Sequence, residues 1–288
     1  MTVAIIGLGI MGSAYGANLL KAGVDVIGVD PVAAGRDQLI AAGGRAEETP
    51  GGWLRDCDLV ILSLASPQVL AGVVDEISGL LNPDQIVLET GTFALADKQA
   101  VQKRLADAGV ILLDCPVSGT GAQAAVGDLV MMASGPAEAV AKAKPFMAHF
   151  TKSVIEAGDF GAGIQLKFVA NHAVALHNAV AGEVLNYADA LGLNRDTVYQ
   201  LLSSGAGQSK MLDLRMPLMM SGDYDPPTAS LKMFEKDLGV ISADIRRLGV
   251  QAPLLDIVNR LYETARADLP ETYDAAAIFE VYRSGKAR

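Results

Sequence analysis

Short apolar runs alternate with longer segments of helical periodicity through the first 160 residues of the chain. Runs such as "VAIIGL" and "DLVILSL" are apolar at nearly every position, which is typical of strands buried on both faces of a sheet. Their alternation with helices predicts a parallel sheet covered by helices on both faces. We predict strands at 3–8, 24–30, 58–64, 85–90, 110–115, 129–134 and 152–158, and helices at 11–22, 33–42, 67–80, 94–108 and 136–149.

The strand signal stops after Gly163, and the rest of the chain has only helical periodicity. Breakers such as "SSGAGQS" and "GDYDPP" divide it into separate helices. We predict helices at 164–191, 195–203, 208–221, 228–248, 252–268 and 274–283. The change of pattern predicts an α/β domain of residues 1–162 and an all-α domain of residues 163–288, linked by a long helix.

Composition argues against several classes of partner. The chain of 288 residues is 51% hydrophobic and 19% charged, which supports a large core. Its net charge of −10 repels phosphate backbones, so nucleic acid is not an expected partner. No apolar run reaches the ~18–20 residues of a membrane helix, and the N-terminus lacks the basic region of a signal peptide. The two cysteines fit a reducing cytosol, and the three histidines lack metal-ligand spacing, so we expect a cytoplasmic protein without a metal site.

Three glycines follow the first predicted strand as Gly7-x-Gly9-x-x-Gly12 and open the first predicted helix. In this context the first permits a tight turn, the second lets a pyrophosphate approach the backbone, and the third lets helix and strand pack closely. The N–H groups of the helix N-terminus then face the phosphates. Asp30 ends the next strand, 18 residues after Gly12, near the ~20-residue spacing of a ribose-binding carboxylate. The sequence therefore predicts a Rossmann-type dinucleotide site.

Asp30 also predicts which cofactor is preferred. Its carboxylate accepts hydrogen bonds from ribose hydroxyls and repels a 2′-phosphate, which favours NAD over NADP. Arg36 is close enough in sequence to reach a 2′-phosphate, although a solvated arginine is the commoner interpretation. We also assign to the cofactor site Ile10 and Met11, within the glycine turn, and Leu64, at the end of a predicted strand.

Four motifs in order along the chain resemble those of the β-hydroxyacid dehydrogenase family, which includes 3-hydroxyisobutyrate dehydrogenase and tartronate semialdehyde reductase. They are "GLGIMGSAYGANLLKAG", "DCPVSGTGAQAAVGDLVMMASG", "GAGIQLKFVAN" and "FEKDLGV". The segment "GAGQSKMLDLRMPLMMSGDYDPPTASLKMFEKDLGV" most resembles the branch that contains L-threonate dehydrogenase. The resemblance implies a doubly wound NAD-binding Rossmann domain, an all-helical substrate and oligomerisation domain, and a homodimer or homotetramer.

The resemblance also implies roles for individual residues. Lys167 matches the family's catalytic lysine, and Asn171 matches an asparagine one helical turn later that helps to hold substrate. Ser118 and Gly119 match a turn that binds the substrate carboxylate, with Thr120 where the family has a second glycine.

Two further positions, Thr92 and Lys236, match residues that line the cofactor. Lys236 with Asp237 also fits a solvated charge pair on a helix. The family's frequent asparagine and serine are replaced by Ala170 and Gly91. Together with Thr120, these departures bear on which substrate fits.

The segment around Lys167 supports the same site from its own pattern. At ~100° per residue, Lys167, Asn171, Asn178 and Asp189 form a narrow polar seam on an apolar helix. The seam alone fits a solvated stripe. Beside a nucleotide cleft, however, partial desolvation would disfavour the charged form of the lysine and suit it to proton exchange near neutral pH.

These observations predict an NAD-dependent oxidoreductase that transfers a hydride between the nicotinamide and a small hydroxycarboxylic acid, with Lys167 as general acid/base. Candidate substrates are 3-hydroxyisobutyrate, glycerate and L-threonate. One alternative is imine reduction on a similar fold, against which Lys167 argues because such enzymes usually carry Asp or Tyr there. The other is a non-catalytic dinucleotide-binding module used for oligomerisation.

Overall fold

A computed structural model describes residues 1–287 of the chain. The chain forms two compact units, Met1–Lys167 and a second unit that begins at Phe168. The sequence pattern changes five residues before this division. Among residues 1–287, no helix has the length and apolar character needed to cross a membrane.

The first unit contains a nine-stranded sheet, whereas the alternating pattern predicts seven strands. All seven predicted strands are present. The strands are β1 (Thr2–Ile6), β2 (Asp25–Val29), β3 (Arg45–Glu47), β4 (Leu59–Leu62), β5 (Ile86–Glu89), β6 (Ile111–Asp114), β7 (Val117–Ser118), β8 (Val130–Ser134) and β9 (Ser153–Gly158). Their order is β3-β2-β1-β4-β5-β6-β8-β7, with β9 also pairing with β8.

The prediction of a parallel sheet is wrong at one edge. Strand β8 runs antiparallel to β6 and β7, with Asp114 opposite Ser134 and Val117 opposite Met131. The chain turns back through β7 and a five-residue helix, Gly121–Ala125, and forms no long helical crossover between β6 and β8. A parallel connection needs such a crossover.

Helices cover both faces of this sheet. They are α1 (Ile10–Lys21), α2 (Ala33–Ala41), α3 (Pro67–Ile77), α4 (Leu95–Asp107), α5 (Gly121–Ala125) and α6 (Ala137–Met147), with a 3-10 turn at Gly52–Asp56. Alternate residues of β1 enter different cores: Val3 and Ile5 pack in one, Ala4 and Ile6 in the other. This two-sided burial explains the unbroken apolar strands. The sequence analysis did not predict β3, β7 or α5, because these elements are too short to show a repeat of apolar residues.

The second unit is entirely helical apart from one isolated β-bridge within the described residues. Helix α7 (Ala162–Ala190) begins in the first unit and continues into the second. It is followed by α8 (Arg195–Ser204), α9 (Lys210–Ser221), α10 (Leu231–Leu248), α11 (Pro253–Asp268), a 3-10 turn at Ala275–Ala277, and α12 (Ile278–Arg283). Side chains of Asn194, Ser209 and Ser230 cap α8, α9 and α10 by accepting a backbone N–H. The Ser230 cap makes α10 begin later than predicted.

Candidate functional site

The glycine turn between β1 and α1 has a geometry that its sequence spacing predicts. Gly7 has φ +96°, and a Cβ there would lie 2.2 Å from the carbonyl oxygen of Ser63. A Cβ on Gly12 would lie 1.9 Å from the carbonyl oxygen of Gly7. A Cβ on Gly9, in contrast, would meet no heavy atom of the described chain within 4 Å. Gly7 and Gly12 therefore permit the turn itself, whereas Gly9 keeps one side of the backbone accessible to a ligand.

A cleft of about 790 Å³ lies beside this turn within the first unit. Gly9 is the N-cap residue of α1. Because glycine has no side chain, it offers no side-chain acceptor to the first N–H groups of the helix. The cleft lining includes Leu8, Gly9, Ile10, Asp30, Gln38 and Gly121. A helix N-terminus on such a cleft suits an anionic phosphate group. Of the predicted cofactor residues, Gly9, Ile10 and Asp30 line the cleft.

Asp30 follows the last residue of β2, and backbone donors fix its carboxylate. Its Oδ2 accepts the N–H of Leu8 at 2.7 Å, and its Oδ1 accepts the N–H of Val32 at 2.8 Å. Each carboxylate oxygen has more than one acceptor site, so hydroxyl donors can still bind. The glycine turn and the carboxylate are thus joined by a direct hydrogen bond.

The interpretation of Arg36 as a solvated side chain is wrong. Its Nη1 donates to the carbonyl oxygen of Asp30 at 2.6 Å, and its Nη2 lies 3.9 Å from Oε2 of Glu48. The side chain is only 21% exposed. A guanidinium has five N–H donors in a fixed plane, so these contacts hold Arg36 beside the Asp30 backbone.

The remaining predicted cofactor residues of the first unit surround the glycine turn or follow neighbouring strands. Met11 lies in the first turn of α1. Leu64 follows β4, and its Cδ2 would lie 3.3 Å from a Cβ on Gly7. Thr92 follows β5 by three residues. Because parallel strands end at a common edge, these positions belong to the carboxyl edge of the sheet, where ligands of such folds bind.

The turn Ser118–Gly119–Thr120 begins at the last residue of the short strand β7. Gly119 has φ +142°, and a Cβ there would lie 2.4 Å from Cδ2 of Leu129. Thr120 N-caps α5 in a capping box: its Oγ1 accepts the N–H of Gln123, and its own N–H donates to Oε1 of Gln123 at 3.0 Å. The cap engages two groups of Thr120, and the T-x-x-Q spacing of residues 120–123 was the sequence signal that could have identified it. The predicted carboxylate-binding role of the turn stays a prediction.

The polar seam of α7 separates into different environments. Lys167 is 9% exposed and Asn171 is 7% exposed, so neither is a solvated side chain. Asn178 is fully buried, and its Nδ2 donates to the Tyr262 hydroxyl at 3.2 Å. Asp189 accepts from Arg195 at 2.7–2.8 Å, and this hydrogen bonding lowers the pKa of its carboxyl. Only the first two residues of the seam remain candidates for catalysis.

Asn171 has a partner that the sequence left unassigned. Its Nδ2 donates to Oδ2 of Asp237 at 2.9 Å, and Nζ of Lys236 lies 3.1 Å from Oδ1 of the same aspartate. The Asp237 side chain is 10% exposed, so the predicted Lys236–Asp237 pair is present but its carboxylate is not solvated. Adjacency in "FEKDLGV" was the only sequence signal. Among residues 1–287, no group of three His, Cys, Asp or Glu is placed to hold a metal ion.

Two family descriptions match consecutive parts of the chain. Residues 2–158 match the NAD-binding domain of 6-phosphogluconate dehydrogenase. Residues 161–282 match the description "NAD-binding of NADP-dependent 3-hydroxyisobutyrate dehydrogenase". Both descriptions concern NAD(P)-binding dehydrogenases, and together they span nearly the whole chain.

Individual relatives match over almost their full length. L-threonate dehydrogenase of Cupriavidus necator is 30% identical over 284 residues, which are 97% of this chain and 95% of that protein. The crystal structure of 3-hydroxyisobutyrate dehydrogenase from Salmonella typhimurium has a TM-score of 0.88 at 27% identity, covering 98% and 99% of the two chains. The structure of Mycobacterium tuberculosis 3-hydroxyisobutyrate dehydrogenase with L-serine has a TM-score of 0.90 at 25% identity and the same coverage.

Proposed function

Because this chain belongs to the β-hydroxyacid dehydrogenase family, we propose that it oxidises a small hydroxycarboxylic acid with NAD, using Lys167 as general acid/base. The protein is an NAD(P)-binding oxidoreductase of hydroxy acids. The proposal concerns the cofactor preference, the substrate and the residue roles. We assign residues 1–162 to cofactor binding and residues 163–288 to substrate binding and oligomerisation.

The observation that carries the residue roles is the burial of Lys167, at 9% exposure, on the same helix as Asn171. In oxidation, Nζ of Lys167 takes the substrate hydroxyl proton, and in reduction it returns that proton to the developing alkoxide. Asn171 holds a substrate oxygen, while Asp237 fixes its amide. The turn Ser118–Gly119–Thr120 binds the substrate carboxylate. A bound nicotinamide dinucleotide supplies the hydride acceptor or donor.

The preference for NAD over NADP rests on Asp30. Its two carboxylate oxygens are held by the N–H groups of Leu8, in the glycine turn, and of Val32. Ribose hydroxyls can donate to this carboxylate, and a 2′-phosphate is repelled by it. Arg36 is engaged by the Asp30 carbonyl oxygen. We expect Asp30→Ala to raise the NAD dissociation constant and to narrow the gap between NAD and NADP, measured by titration of both cofactors. Unchanged NAD affinity in this variant would exclude the assignment.

The substrate we favour is a four-carbon sugar acid such as L-threonate. The support is the full-length similarity to an L-threonate dehydrogenase. The test follows nicotinamide absorbance with NAD or NADP and a panel of L-threonate, glycerate, 3-hydroxyisobutyrate and L-serine. Highest kcat/KM on L-threonate supports the assignment. Faster turnover of another acid would make that acid the assigned substrate. If none of the acids is turned over but an added imine is reduced, the imine-reducing alternative is favoured.

The lysine is tested by Lys167→Ala against a matched control. We expect kcat to fall about 10²- to 10⁴-fold, the usual contribution of a general acid/base, while the dissociation constant for NAD stays unchanged. Lys103→Ala is the control, because that lysine is 76% exposed on α4. NAD binding with no turnover in the wild-type protein would instead favour the non-catalytic module.

A homo-oligomer is proposed from the outer face of α7. Val169, Val180 and Tyr187 are each more than half exposed, and their spacings of 11 and 7 residues place them on one helix face. We expect light scattering to give a dimer or tetramer, with a lower mass for Tyr187→Glu than for the control Ile40→Glu on α2. An unchanged mass for Tyr187→Glu would exclude this face. The cytoplasmic location stays a prediction.

A further inference from the structure

A cluster of three charges is completely buried in the first unit. Glu89 ends β5, Lys98 lies in the first turn of α4, and Asp114 ends β6. Nζ of Lys98 lies 2.6 Å from Oε2 of Glu89 and 2.6 Å from Oδ1 of Asp114. All three side chains have no exposed surface. A buried ion cluster is by itself weak evidence for stability, because desolvation opposes the charge attraction, so its other contacts decide what it does.

The second oxygen of Glu89 binds the segment that follows β5. Its Oε1 accepts the N–H of Gly91 at 2.7 Å. A Cβ on Gly91 would lie 2.7 Å from that oxygen and 2.3 Å from the Phe93 ring. The Glu89–Lys98 ion pair thus joins the end of β5 to the first turn of α4, and the connecting residues 90–94 include Thr92. Glu89 therefore fixes the backbone next to a proposed cofactor residue.

The second oxygen of Asp114 binds the beginning of α7. Its Oδ2 accepts the N–H of Ile164 at 2.7 Å. The hydroxyl of Ser134 lies 3.1 Å from the same oxygen and accepts the N–H groups of Gly161 and Gly163 at 3.3 and 3.0 Å. These are orphan donors of a helix N-terminus, which require acceptors when buried.

Helix α7 approaches Asp114 too closely for any side chain at its nearest residue. A Cβ on Gly163 would lie 2.5 Å from the carbonyl oxygen of Met132, 2.7 Å from that of Asp114 and 3.0 Å from its Oδ2. Lys167 follows Ile164 by three residues, less than one turn. A displacement of this first turn would move the lysine with it.

We propose that the Glu89–Lys98–Asp114 cluster positions two parts of the active site independently. Glu89 orders the segment that contains Thr92. Asp114 fixes the position of the first turn of α7 along and around the helix axis, and thereby the position of Lys167. The ammonium of Lys98 contacts both carboxylates and so holds each of them in place. All three are positioning residues, and the assignment rests on the proposed roles of Thr92 and Lys167.

The test compares Glu89→Gln with Asp114→Asn. Each substitution keeps the side-chain size and removes a charge. Asp114→Asn should lower kcat about 10- to 100-fold, as displacement of a reacting group does, and leave the NAD dissociation constant within about twofold. Glu89→Gln should raise the NAD dissociation constant at least tenfold with a smaller change in kcat. Hydrogen exchange should accelerate in residues 161–167 for Asp114→Asn and in residues 89–93 for Glu89→Gln.

The control is Asp274→Asn, a buried carboxylate of the second unit that also accepts backbone N–H groups. It should lower thermal stability with no change in kcat or NAD affinity. If Asp114→Asn does not fold, Ser134→Ala replaces it, because Ser134 accepts the N–H groups of Gly161 and Gly163, next to the Ile164 N–H that Asp114 accepts. Equal kinetic and binding losses in all these variants at equal loss of stability would overturn the proposal.

Failure of the proposed function is distinguishable from failure of this inference. If no hydroxy acid is turned over by the wild-type protein, the kinetic readout is lost and the proposed function fails. NAD binding and hydrogen exchange still separate the two variants. If hydrogen exchange accelerates in both segments for both substitutions, the two segments depend on the cluster as a whole, and the proposed independent roles of Glu89 and Asp114 are overturned.

Discussion

Among residues 1–287, each unit of the molecule contains a buried ion cluster, and the two clusters differ in charge balance. In the first unit, Lys98 serves two carboxylates, Glu89 and Asp114. In the second unit, Arg215 is paired with Asp274, and the side chains are 4% and 0% exposed. The second cluster is electrically balanced, whereas the first keeps one carboxylate in excess.

The surroundings of Asp274 explain how a balanced pair behaves. Its carboxylate accepts the N–H groups of Thr228 at 2.7 Å and Ala276 at 2.9 Å, as well as the Thr228 hydroxyl at 2.8 Å. Burial acts to raise the pKa of Asp274, but the Arg215 charge and these hydrogen bonds outweigh it and hold the pKa below its ordinary value. For Glu89, burial dominates and raises the pKa, despite the opposing charge of Lys98.

The comparison indicates what each cluster contributes. The Arg215–Asp274 pair closes a loop and caps a 3-10 turn, which are structural tasks. The first cluster has its excess carboxylate between two segments that belong to the proposed active site. Buried carboxylates held by a cation and backbone N–H groups therefore stabilise the fold in one unit and, in our proposal, position reacting groups in the other.

The largest expected effect is on stability after removal of each cation. Lys98→Met leaves two buried carboxylates without an ammonium and should cost about 3–5 kcal/mol of unfolding free energy. Arg215→Met leaves Asp274 with its backbone donors and should cost about 1–3 kcal/mol. Denaturant midpoints of the two variants measure the difference. Equal costs would remove the distinction between the clusters.

A pH titration should sharpen the comparison. The pKa of Asp274 is lowered in the folded protein, so its stabilisation is present above the unfolded value of about 3.9 and is lost as pH falls through the folded value. Asp274→Asn should therefore cost about 1–3 kcal/mol near pH 7. The cost should shrink below about pH 4, as measured by thermal unfolding of both proteins between neutral and acid pH. A pH-independent difference would contradict the role of the charge.

The smallest expected effect compares two hydroxyls. Thr228→Val removes a contact to Asp274, and Ser134→Ala removes a contact to Asp114. Each should cost about 1 kcal/mol of stability. Ser134→Ala alone should also lower kcat, by up to about tenfold, because it releases N–H groups at the start of α7. Unchanged kcat in both variants would show that Ser134, like Thr228, contributes to stability alone.

The nucleotide site was predictable because its determinants are local. The glycines of the first turn lie within six residues, and strand–turn–helix context fixes their roles before any tertiary contact is known. The hydrogen bond from the Leu8 N–H to Asp30 joins neighbouring strands, so strand order alone brings these residues together. Rossmann-type alternation and the helical second half were recovered from periodicity for the same reason.

The ion cluster could not be predicted in the same way. Glu89 has the pattern of a polar strand end, Lys98 that of a solvated helix charge, and Asp114 that of a second strand end. Their burial depends on adjacency of β5, α4 and β6 in three dimensions. The strand β8 was predicted, but its antiparallel direction was missed for a related reason, because strand direction is set by the path of the connection and leaves no mark in the strand itself.

The capping box at Thr120 has a consequence for how this protein can change over evolutionary time. Glycine at an N-cap costs only a few tenths of a kcal/mol relative to threonine, whereas alanine costs about 1 kcal/mol. The bond from the position-120 N–H to Oε1 of Gln123 uses only the backbone at that position. Selection can therefore exchange threonine and glycine there with little loss of stability, so the substrate contact that we propose at this position can change while the fold is conserved.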